Sequence, residues 1–157
     1  MGGRLGALIK LGIANVLVLG CAHHAEAPPP IVLSTQSSIT AEMIGRRFPP
    51  MALDSSASEP SYGYSQALPV IVGGGFGEGS RNTYRYLNAL LGPAGQTIHY
   101  TRVGTCCSFK TPNSPFDGSA LLEVYEIGYD GGEARRLYFN WYDAGKPLIP
   151  VGLTARK

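Results

Sequence analysis

Three cysteines and three histidines are all that this 157-residue chain supplies of the side chains that bind soft metals most readily. His23 and His24 lie side by side near the N-terminus, which leaves His99 alone in the C-terminal half. There is no C-x-x-C pair, and the only neighbouring thiols are Cys106 and Cys107. Charge is scarce as well: Asp, Glu, Lys and Arg make up 15% of the chain. Of 13 Lys and Arg, Arg4 and Lys10 fall in the first twenty residues, so the remaining 11 balance the 11 Asp and Glu. A neutral chain has no broad electrostatic footprint for phosphate backbones, which excludes nucleic acid as a partner. There is one tryptophan, Trp141, no internal repeat, and no apolar run of the roughly 20 residues that a membrane-spanning helix needs.

What is present begins with an address. Arg4 and Lys10 form a basic segment, and residues 11–19 (LGIANVLVL) are a short apolar stretch of signal-peptide length. It ends at Val18-Leu19-Gly20-Cys21, which resembles a bacterial lipobox: aliphatic, variable, small, cysteine. The resemblance implies cleavage before Cys21 and a lipid on its sulfur and amino group, a two-signal anchor that holds stably in a membrane. Ala22, where an inner-membrane protein would carry Asp, points to the outer membrane.

The expected organisation is a signal peptide at 1–20, a Pro/Ser-rich lipid-anchored tether at 21–67 and a globular domain at 68–157. The tether carries Pro28-Pro29-Pro30, Pro49-Pro50 and the polar run 54–61, a composition that buries too little apolar surface to offset its ordering entropy. Within it, residues 38–48 fit a short helix capped by Thr40, and the His23-His24 pair reads as solvated.

In the domain, residues 68–72 (LPVIV) read as a buried strand bounded by glycines. A helix is expected over 81–91, with Ser80 as its cap, Tyr84, Leu87 and Leu91 on the core face and Gly92-Pro93 as its stop. Strands follow at 97–103, 121–129 and 137–142, with a glycine turn at Asp130-Gly131-Gly132. LYFNWY places Leu137, Phe139 and Trp141 on one face. An even turn loop would set Leu122 and Val124 beside them, and an odd one Leu121 and Tyr125. Residues 148–153 add an edge strand. The sum is an α+β fold, one helix packed on a mostly antiparallel sheet of four to five strands.

Two features could carry chemistry. The run 73–80 (GGGFGEGS) joins a strand to a helix, where an anion would meet backbone N–H groups. It matches neither G-x-G-x-x-G nor a P-loop with its lysine, so it reads as a flexible connection. Ser80, Arg81 and Arg85 are what remains of a candidate anion site there. Cys106 and Cys107 allow three roles, weighed in this order: one thiol packed inward with its neighbour supporting a strand-end corner, a vicinal disulfide, or a soft-metal or redox pair. Catalytic constellations are missing. Glu123 and Glu126 point to opposite strand faces, His99 stands alone, and no G-x-S-x-G occurs.

The strings RNTYRYLNALLGP at 81–93, GTCCSF at 104–109 and PLIPVG at 147–152 resemble small bacterial envelope lipoproteins with a double-cysteine motif, over about half the chain. That resemblance implies an envelope location and brings no mechanism. The expectation is therefore a lipid-anchored, non-enzymatic binding or structural module. It has a membrane partner through Cys21, a protein or small-molecule ligand and no cofactor or metal. A thiol-based metal or redox protein using Cys106 and Cys107 is the first alternative and a small envelope enzyme the second.

Overall fold

The computed structural model describes residues 47–75 and 77–157. The signal segment, Cys21, the two adjacent histidines and nearly all of the expected 38–48 helix lie outside the described residues.

Seven elements follow one another: β1 (Val70–Gly73), α1 (Glu78–Ala89), β2 (Leu90–Leu91), β3 (His99–Lys110), β4 (Ser119–Gly128), β5 (Arg135–Ala144) and β6 (Thr154–Ala155). Four strands form one sheet in the order β1-β5-β4-β3, and β2 pairs with β6 in a separate two-stranded ladder. β3 and β5 each run antiparallel to β4 between them, while β1 joins β5 in parallel. The architecture is α+β. The expected edge strand at 148–153 is not one: apart from a single bridge between Ser56 and Ile149, pairing is made by Thr154 and Ala155 against β2. Pro147 and Pro150 have no N–H to give a ladder, and Pro150 is buried instead.

The β4–β5 hairpin turns where Asp130-Gly131-Gly132 said it would. Gly132 N donates to Tyr129 O, and Gly131 takes a left-handed φ of 81°. Tyr125 faces Leu137 and Glu123 faces Phe139, so the odd-numbered residues of β4 share the face of Leu137 and Phe139. This is the odd-loop alternative, with Tyr125 in the core and Leu121 of the same parity exposed at the strand's far end. Leu122 and Val124 are buried on the opposite face.

The helix starts earlier than expected, at Glu78, and its N-cap is Gly77 with φ 76°; Ser80 lies inside the first turn and caps nothing. The chain turns extended at Leu90, so the helix ends just before the Gly92-Pro93 stop. Its buried positions are Gly79, Thr83, Tyr86, Leu87 and Ala89, a stripe rotated from the expected one. Tyr84 packs at the margin, and Leu91 belongs to β2. Tyr86 meets Phe139 edge-on at 5.6 Å, as does Tyr125. Val70, Val72, Leu87, Leu90, Ile127 and Leu137 complete the centre.

The boundary at residue 68 needs correction. Ala57 and Tyr62, both assigned to the tether, belong to the core, and Met51, Leu53 and Tyr64 pack against it. Main-chain bonds fasten this segment: Ala57 N to Ile149 O, Ile149 N to Ser55 O, and Tyr138 N to Gly63 O. The Tyr62 hydroxyl accepts from Leu148 N while the Tyr86 hydroxyl donates to Leu148 O. Scattered apolar residues among prolines and serines show no periodicity, yet each finds a place once the sheet exists.

Candidate functional site

Where β1 and β5 run side by side, their pairing jumps from Ile71–Asn140 to Gly73–Ala144. β5 therefore carries two more residues than β1 over this stretch, a bulge that breaks the alternation of side chains. The Asn140 side chain supports it: Oδ1 accepts from both Tyr142 N and Asp143 N, at 2.9 and 3.1 Å. As a result Trp141 and Tyr142, adjacent in sequence, both line one cavity. Its other walls are Gly75, Gly77, Gly79 and Ser80 before and within the first turn of α1, and residues 113–116 of the β3–β4 loop. The cavity holds about 460 Å³, within the roughly 300–1,000 Å³ usual for small-molecule sites. It lies at the carboxyl ends of two parallel strands, the place where α/β sheets commonly take ligands.

Two glycines of this region are explained by Trp141. A Cβ on Gly79 would come within 2.4 Å of Trp141 Cβ, and one on Gly73 within 2.3 Å of Trp141 O. Helix and strand approach the bulge so closely that no side chain fits between. Trp141 Nε1 donates to Thr83 Oγ1 at 2.8 Å, so the indole's one polar atom is used within the fold.

The β3–β4 loop is tied down by Asp143. Oδ1 accepts from Thr111 Oγ1 and from Asn113 Nδ2 (2.8 Å), and Oδ2 from Asn140 Nδ2 (2.6 Å). Thr111 Oγ1 in turn accepts from Asn113 N, and Ser114 Oγ donates to Ser119 O. Burial alone would raise the Asp143 pKa, but the hydrogen bonds from Thr111, Asn113 and Asn140 favour the charged form and bring it below the usual 3.8. A depressed carboxylate pKa contributes stability that is complete above the unfolded-state value and is lost as pH falls through the folded one. Amide hydrogen exchange across residues 111–118, corrected for intrinsic rate, is therefore expected to be slow at pH 5 and to accelerate below about pH 3.8. Asp143→Asn should already exchange fast at pH 5. Equal protection in the two proteins at pH 5 would remove Asp143 as the tie.

Phe116, 69% exposed, stands on this loop. With Tyr142 it also walls a second hollow of about 220 Å³, which Ser108 and Leu121 border.

Of the residues expected to bind an anion, only Ser80 reaches the cavity. Arg81 pairs with Glu78 at 3.4 Å, and Arg85 Nε donates to Pro49 O. The three do not converge. His99 is exposed, with Asp130 at 3.7 Å. Glu123 and Glu126 do point apart. Glu126 is exposed opposite Arg136, whereas Glu123 is buried and receives two 2.8 Å contacts from Arg102, Nε and one terminal nitrogen. Burial raises the Glu123 pKa, and Arg102 offsets this only in part. Tyr84, Tyr100 and Tyr125 pack ring on ring, with Tyr125 near the pair, and burial with the Tyr84 neighbour pushes Tyr100 up to about 12. This cluster ties β3 to β4 and holds α1 through Tyr100 and Asn88.

Cys106 and Cys107 are joined by a disulfide, their Cα atoms 3.7 Å apart. The pair lies inside β3, not at its end. Cys106 faces Leu122 and Ser108 faces Leu121, so Cys107 is the extra residue of a bulge, with a left-handed φ of 60°. In a regular strand adjacent side chains point to opposite faces, which opposes a bridge between neighbours, and the bulge removes that alternation. A bridged pair has no thiolate to offer a metal. Alkylation of the denatured, unreduced protein is expected to modify neither Cys106 nor Cys107, and after reduction both. Modification before reduction would exclude the bridge.

The sequence missed Asn113, Phe116, Asn140 and Asp143. Their only signal was local, a Thr-Pro-Asn-Ser-Pro turn and an Asn-x-x-Asp strand end, with nothing to show that the two meet. Comparison with known protein families, curated proteins and solved structures finds no match for this chain.

Proposed function

We propose that this protein is a lipid-anchored bacterial envelope lipoprotein, held in the outer membrane through Cys21, whose folded domain is a non-enzymatic binding module. The observation that carries the binding reading is the cavity at the Trp141 bulge. It has the size of a small-molecule site, and a loop pinned by a three-donor carboxylate forms one wall. Among the described residues the polar groups around it are amides and hydroxyls, a set suited to holding a ligand and without a paired nucleophile and base. The anchor rests on the lipobox-like Val18-Leu19-Gly20-Cys21 after a short apolar run. The disulfide supports an oxidising compartment, where such bonds persist.

Two experiments test the two halves. Cells given labelled fatty acid should incorporate it into the wild type and not into Cys21→Ala, and only the wild type should sediment with outer membranes. Equal labelling would refute the anchor. For the cavity, Trp141 is the sole tryptophan and lines the site, so its fluorescence should respond saturably to an occupant.

A second reading, thiol redox work, is favoured by the bridge lying half-buried on a bulge. It requires an external dithiol: the dithiol is oxidised to a disulfide as Cys106 and Cys107 become two thiols. Reduction by a dithiol oxidoreductase at a rate no faster than that of a buried structural disulfide would remove it.

A further inference from the structure

We infer that the cavity's ligand is a neutral saccharide, stacked on Trp141 and Phe116 with its hydroxyl rim against Asn113 and the glycine-lined main chain; this rests on the binding-module reading. Charge comes first. Among the described residues the cavity is lined by no charged side chain. Arg81 and Arg85 are engaged elsewhere, and both oxygens of the nearby Asp143 carboxylate are taken by the loop tie. An ionic ligand would give up its water without a counter-charge, which is costly. A wholly apolar ligand fits no better, since it would strip water from the amide and hydroxyls of Asn113, Ser80 and Tyr142 and return nothing.

A sugar ring matches both halves of this lining. Its C–H face is apolar and its rim is neutral donor and acceptor. Trp141 has its N–H bonded to Thr83, so the indole offers ring carbons to the cavity. Phe116 adds an aromatic wall held out on the pinned loop. Asn113 is oriented in advance: its side-chain N donates to Asp143 and its main-chain N to Thr111. Its Oδ1 accepts no hydrogen bond among the described residues and can take one from a hydroxyl. Such preorganisation lowers the ordering cost of binding. Because Phe116 and Tyr142 wall both hollows, of about 460 and 220 Å³, the seat is longer than one ring. The ligand class is therefore a short neutral oligosaccharide.

The test titrates Trp141 fluorescence of the full chain in detergent with maltose, cellobiose and N,N′-diacetylchitobiose, with cyclohexanol as the apolar probe and inorganic phosphate as the anion. At least one disaccharide should give a saturable change. Phe116→Ala and Asn113→Ala should each weaken it about tenfold, the equivalent of about 1.4 kcal/mol. Phe116 is largely exposed, so its variant keeps the fold, which circular dichroism verifies. Saturation by cyclohexanol or phosphate alone would overturn the saccharide and leave the binding module standing. Saturation by a disaccharide that neither variant weakens would overturn the seat. Silence from every probe would overturn both readings.

Discussion

A chain that begins at residue 68 is expected not to fold. It lacks Ala57 and Tyr62 of the core. It also lacks the partners of Tyr138 N and Ile149 N, which would be left without their main-chain acceptors at Gly63 and Ser55. The Leu148 amide loses the Tyr62 hydroxyl. Removing one buried aromatic typically costs about 3–5 kcal/mol, and each lost hydrogen bond about 0.5–1.5 more. Small domains are stable by only about 5–15 kcal/mol in total. The sum of these losses consumes that margin. Thermal melting followed by circular dichroism should show a cooperative transition for the chain from residue 47 and none for the chain from residue 68. A cooperative melt of the shorter chain near the same temperature would show that residues 47–67 lie on the fold without sustaining it.

Phe139→Ala is expected to be the most damaging single substitution, at about 3–5 kcal/mol by urea denaturation. Phe139 is fully buried, takes the rings of Tyr86 and Tyr125 edge-on, and lies on β5 between β1 and β4. Nothing nearby can collapse into the space, because its neighbours are held by hydrogen bonds: the Tyr86 hydroxyl to Leu148 O, and the β5 backbone to both flanking strands. Phe116→Ala is the control, and within about 0.5 kcal/mol of wild type it should register little. Similar losses from the two would mean that the core is not centred on β5.

These contrasts show what a one-dimensional reading could and could not reach. β5 was legible as a strand because six consecutive residues, LYFNWY, combine aromatic and aliphatic β-formers in alternation. The turn at Asp130 to Gly132 was legible because glycine is cheap at positive φ. The parity of the hairpin was open, since it depends on how many residues the loop spends, and Tyr125 against Leu137 settled it. The helix stripe was misplaced because its phase was read from Tyr84, Leu87 and Leu91. Packing selected Thr83, bonded to Trp141, and Tyr86, seated on Phe139, with Leu87 beside them.

The candidate site was the least legible part, and its glycines were the most misleading. GGGFGEGS has the look of a loop made for a phosphate, yet two of its glycines are required by the close approach of Trp141. Asp143 and Asn113 lie thirty residues apart and carry no motif, so neither is informative alone. Two adjacent cysteines pair poorly in a regular strand, and nothing local in the sequence marks the extra residue at Cys107 that brings them together.

The sequence by itself determined the helix and the main strands, their order, the α+β class and the charge balance of the chain beyond residue 20. Each of these follows from composition or from the side-chain periods of helix and strand, which are local. Only the tertiary structure decided that residues 47–67 belong to the fold, that β1 runs parallel to β5, and that bulges at Cys107 and in β5 redirect their side chains. Bulges, registers and the docking of an aperiodic segment are set by contacts between residues far apart in the chain. A local pattern carries no record of them, and the cavity beside Trp141 exists only where those contacts meet.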